Sequence, residues 1–200
     1  MNHRSLDVSA LPSYRYGHHS LMWWGMMGMI AVEGMAFALS IAAYLFLRSQ
    51  SQEWPLGVPP PDLLWGTLNV GILLASMLPN HWTKRAAEQG HEHRMRIGLV
   101  ICALFGFALI AVRVLEFGTL NCRWDSNAYG SIVWLILALH TVHLATDVYD
   151  TLVLAVLFFT GPLEGRRHVD VAENALYWYF VVYSWIPIYL VIYWVPRLPS

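Results

Sequence analysis

Glu33 stands near the centre of an apolar run, WWGMMGMIAVEGMAFALSIAAYLFL at 23–47, and is the only ionisable residue in it. A carboxylate in mid-bilayer costs about 2.5–3.5 kcal/mol on insertion scales, so it calls for a reason. It is either a protonated carboxyl hydrogen-bonded to a neighbouring helix or a group that fixes an interface or handles a proton. The residue type leaves both open. A second constellation lies in AYGSIVWLILALHTVHLATDVYDTLVLAVLFF, where His140, His143, Asp147 and Asp150 fall three, four and three residues apart. That spacing lines one helical stripe, which must face protein or water and not lipid. Arg113 and Glu116 sit three residues apart near the end of another apolar block. There they are read as a snorkelling pair at the membrane interface.

Two histidines on one helical stripe raise the question of a metal. Carboxylate-bridged bundles draw a Glu-x-x-His pair from each of two helices, and the second half is missing here. A helical zinc pair needs His at i and i+4 with a third ligand. The expectation is therefore hydrogen-bonding histidines and no bound metal. His91-Glu92-His93 reads as a solvated loop, and Met26, Met27, Met29 and Met35 as packing residues. No glycine-rich phosphate loop and no nucleophile–base setting is present, so no catalytic centre is expected.

The elements that must carry these residues follow from composition. The 200 residues are 57% hydrophobic and 12% charged, with mean hydropathy +0.47. That charged fraction is about half that of soluble domains. The expected fold is all-α, a polytopic membrane protein with five transmembrane helices and no nucleic-acid partner at net charge −1. After an N-terminal tail at 1–17, a single membrane domain at 18–197 holds spans at about 18–47, 62–79, 97–117, 128–159 and 172–195. The second ends at Pro79-Asn80 and is followed by a polar hinge, and Pro187 should kink the fifth. Gly34, Ala38 and Ala42 recur at helical spacing, so another helix can approach the first span closely. The tail and loops 80–96 and 160–171 hold eight basic residues, against Arg48, Arg123 and Arg197 on the other side. That excess places the N-terminus in the cytoplasm and the C-terminus in the periplasm. Glu33 and the histidine pair then lie at similar heights, each about 20 Å into its helix, so a Glu–His hydrogen bond between spans one and four is expected.

The order of AVEGMAF with its central Glu, YGS opening a helix with His140-x-x-His143, RVLEF, and ALYWYFVVYSWIPIYLVIYW resembles subunit III of the haem–copper terminal oxidases. The resemblance runs from about Trp23 to Trp194 and is to the short, five-helix form. It implies that Glu33 is the family's intramembrane carboxyl and Glu173 the acidic residue leading the last helix. It further implies a non-catalytic accessory subunit in a bacterial inner membrane. Such a subunit packs against catalytic subunit I and subunit II, binds phospholipid, and supports oxygen or proton supply and stability. Haem and copper would belong to those partners, and cytochrome c or quinol would be reached only through them. The accessory protein of a nitric oxide reductase shares this architecture and is the alternative; a stand-alone histidine-dependent enzyme or transporter is a third. Two places depart from the family pattern: Trp178, Tyr179 and Phe180 replace a Trp-His-Phe, and Asp147 and Asp150 stand where small or apolar residues are usual.

Overall fold

In the computed structural model, residues 15–16, 19–161 and 166–198 are described, so the tail at 1–17 lies almost wholly outside them. The chain is built from α1 (Leu21–Ser49), α2 (Leu63–Glu88), α3 (Glu92–Gly118), α4 (Ala128–Thr160) and α5 (Arg166–Tyr189). All five are long and apolar enough to cross a membrane. Apart from a two-residue antiparallel pairing of Arg15–Tyr16 with His19–Ser20, the described residues form no sheet. Val32, Leu39, Leu64, Leu78, Leu104 and Val114 are exposed on the outer surface, as apolar side chains facing lipid should be.

Successive helices run antiparallel. At one end, the loop after α1 meets the loop after α3 and the end of the chain. Asn121 and Asn127 donate to the carbonyls of Pro60 and Leu56, and Arg197 to that of Pro61. Trp54 of this loop donates to Tyr44 at 2.8 Å and packs edge-on against Tyr129, which ties the loop to α1 and α4. Asn127 caps α4, its side-chain oxygen accepting from Gly130 N at 2.8 Å. At the other end lie the start of α1, the α2–α3 turn and the close of α4.

Helix α2 does not stop at Pro79. It continues to Glu88, and only residues 89–91 separate it from α3, with Gly90 at φ 70°. The expected polar hinge is therefore two helix ends and a tight turn. Polar residues after the proline gain partners inside the bundle. Asn80 donates to the carbonyl of Ala175 at 2.9 Å, and Thr83 to that of Pro79 at 2.7 Å. Such partners let a helix tolerate a proline at membrane depth. Close approach of α2 and α3, the most extensive pair, needs Gly98, where an added Cβ would lie 2.1 Å from Thr83 Oγ1. Helix α5 begins at Arg166, earlier than 172, passes through Pro187 and widens into a π-helical stretch at Leu190–Trp194.

Helix α1 packs on α4 and α5 through Glu33, Phe37 and Tyr44 and is the least covered of the five. Ala38 and Ala42 are exposed, and among the described residues the small-residue flank meets a neighbour at Gly34 alone, which faces Phe180. The bulky face, not the small one, makes the internal contact.

Candidate functional site

Two polar centres lie within the bundle. The first joins four helices. Arg113 of α3 donates to Glu116 Oε2 at 2.9 Å, and Asn69 of α2 donates to the same oxygen at 2.9 Å. Tyr193, beyond α5, donates to Glu116 Oε1. The second guanidinium nitrogen of Arg113 donates to His140 Nδ1 of α4 at 3.1 Å, and the guanidinium lies 3.9 Å from the Trp185 ring centre. Arg113 and Glu116 are 1% and 0% exposed. This corrects the snorkelling reading: the pair is a buried ion pair with its donors and acceptors largely met from α2, α4 and α5. Burial on this scale is tolerable only with such partners.

His140 is fixed by the same logic. A guanidinium only donates, so Nδ1 must accept; Nε2 then carries the proton and donates to the Val181 carbonyl at 3.0 Å. Both ring nitrogens are committed, and His140 offers no lone pair to a metal.

The second centre surrounds Glu33. Its Oε2 accepts from Tyr177 of α5 at 2.7 Å, and His143 Nε2 lies 3.7 Å from the same oxygen. His143 Nδ1 donates to the Leu139 carbonyl at 2.6 Å. The expected Glu–His neighbours of α1 and α4 thus are Glu33 and His143, at ion-pair distance, while the hydrogen bond goes to Tyr177. His140 belongs to the other centre. Phe37 lies between them, its ring centre 4.9 Å from His143 and 6.1 Å from His140.

One helical turn on, Asp147 is 1% exposed and neither carboxylate oxygen has a partner. Asp150 is exposed. Both line a cavity of about 260 Å³ together with Glu33, Tyr177 and Asn174. Glu173 is buried within α5, not ahead of it. Among the described residues, no three His, Cys, Asp or Glu side chains converge closely enough to hold a metal ion. Outside the helices, burial pushes the Cys122 thiol up to about 11, which disfavours the thiolate that a metal would bind.

Asn69, Tyr177, Tyr193 and Trp185 complete these centres and were not singled out in the sequence. The aromatic three are hidden among tyrosines and tryptophans that read as interfacial belts. Only Asn69, a lone amide in LLWGTLNVGILLASML, carried a signal.

The sequence matches the family Cytochrome c oxidase subunit III over residues 24–196. Proteins named cytochrome c oxidase subunit 3 are similar over most of the chain. That of Thermostichus vulcanus is 26% identical over 176 residues, covering 86% of this chain and 87% of the relative. That of Artemia franciscana is 28% identical over 198 residues, covering 94% and 76%. That of Locusta migratoria is 26% identical over 179 residues, covering 86% and 68%.

Proposed function

The chain belongs to the cytochrome c oxidase subunit III family, and from that membership we propose that it is the non-catalytic, multi-pass accessory subunit of a respiratory haem–copper oxidase in a bacterial inner membrane. Its partners are catalytic subunit I and subunit II, which hold the haems and copper, and phospholipid at its outer surface. It supports assembly, stability over turnover, and supply of oxygen or protons to subunit I. The N-terminus faces the cytoplasm and the C-terminus the periplasm, following the excess of basic residues.

The observation that carries this reading is where the interior polar groups go. Arg113, Glu116, His140 and Asn69 bond to one another and to α5, which is the work of locking helices. His140 has no free nitrogen, and Glu33 is held by Tyr177. A chain so committed serves a redox neighbour by shape and surface. Purification of the native complex tests this. The chain is expected to co-purify with a haem–copper subunit, and Glu33→Ala to lower its retention or the activity over repeated turnover while haem spectra stay unchanged. Loss of haem signals from a fully assembled Glu33→Ala complex would overturn the assignment of the chemistry to the partner.

A further inference from the structure

We infer that the cavity lined by Glu33, Asp147 and Asp150 receives a lysine ammonium from a membrane helix of a neighbouring oxidase subunit. The proposal rests on the accessory-subunit reading and names the contact through which docking is made. The cavity presents three carboxyls, and its lining includes no lysine or arginine. Asp147 is almost fully buried on it with both oxygens unpartnered. A carboxylate in that position is costly until a cation reaches it.

Among the described residues, no cation of this chain is in place to meet Asp147. The sequence contains one lysine, Lys84, which stands 5.9 Å over the Tyr179 ring. A bare metal ion does not suit, since among the described residues no three ligating side chains converge on one point. An arginine fork matches the two oxygens of one carboxylate, whereas acceptors spaced around a cavity match an ammonium with three donors on a long stem. Met26 and Met29 on α1 supply an apolar wall along which that stem can lie.

The level and direction of the opening favour a protein helix as the source. Asp147 is 13 residues from the end of α4, about 20 Å at helical rise. The cavity therefore lies well inside the span of α4, beside its polar stretch at 140–150, and not at the helix end. Exposed Met29, Thr146 and Asp150 mark its mouth on the flank shared by α1 and α4. That is the flank of the helix least covered by its own chain.

The test uses the whole oxidase complex, treated in its membrane with a hydrophobic carbodiimide that joins a carboxyl directly to an amine. Peptide mass spectrometry is expected to find an amide between Asp147 or Asp150 and a lysine in a membrane segment of another subunit. Absence of that cross-link from the intact complex overturns the proposal, as does attachment of the carboxyl to an aminophospholipid. In the Asp147→Asn, Asp150→Asn double variant, the ratio of this chain to haem after detergent washing is expected to fall by about tenfold or more, the scale of losing a buried charge pair. An unchanged ratio also overturns it. A wild-type chain that does not co-purify with haem at all would instead defeat the accessory-subunit reading itself.

Discussion

Arg113 illustrates how one side chain can hold three helices. Its charge is met by Glu116, its second nitrogen by His140, and its face by Trp185. Removing one member strands the other. Glu116→Leu is expected to destabilise the subunit by about 3–5 kcal/mol, seen as a lower midpoint of thermal unfolding in detergent. The double change Arg113→Met, Glu116→Leu should cost less than the sum of the two singles, because no charge is left behind. Additive losses would show that the pair is not coupled. At the second centre, Glu33→Gln and Tyr177→Phe should be less than additive, whereas Glu33→Gln and His140→Leu should add, since Phe37 lies between those centres. Spacing along the chain revealed that Arg113 and Glu116 share a face. It could not reveal their burial, because the groups that make burial tolerable, Asn69 and Tyr193, stand 47 and 77 residues from Glu116. The stripe of His140, His143 and Asp147 was legible from periodicity, but the sorting of its members between two centres depends on the position of one phenylalanine from another helix.

Among the elements, the apolar blocks were easy to read because each exceeds the length needed to span a bilayer. Their ends were harder. Pro79 and the polar run behind it suggest a stop, yet Asn80 and Thr83 find acceptors within the bundle and α2 runs on to Glu88. Small residues alone do not mark the helix contacts either. Gly34, Ala38 and Ala42 look like a packing seam, but among the described residues the tightest approaches of one helical segment to another are at Gly66, Gly98 and Gly106. A Cβ on Gly106 would lie 2.5 Å from Val148 Cγ2. Gly106→Val should therefore push α3 from α4 and cost about 1–3 kcal/mol, read as reduced yield and a lower unfolding midpoint. Val148→Ala in the same protein should recover much of that loss; failure to recover would place the strain elsewhere.

At the scale of the molecule, α1 stands out as the helix with most of its surface left to something other than its own chain, while α2 to α5 enclose the Arg113 centre. The orientation we propose can be tested directly. Alkaline phosphatase fused after Arg197 should be active, and the same enzyme inserted at the turn of residues 89–91 should be inactive; the reverse pattern would invert the topology. One small fixture governs what the interior can transmit. The imidazole of His140 is clamped between a guanidinium that only gives hydrogen bonds and a carbonyl that only takes them. To pass a hydrogen ion from one side to the other, a ring must accept at one nitrogen while releasing at the other, and neither neighbour here allows that exchange. Whatever current of protons runs in the adjoining machinery, the heart of this bundle is an insulator to it.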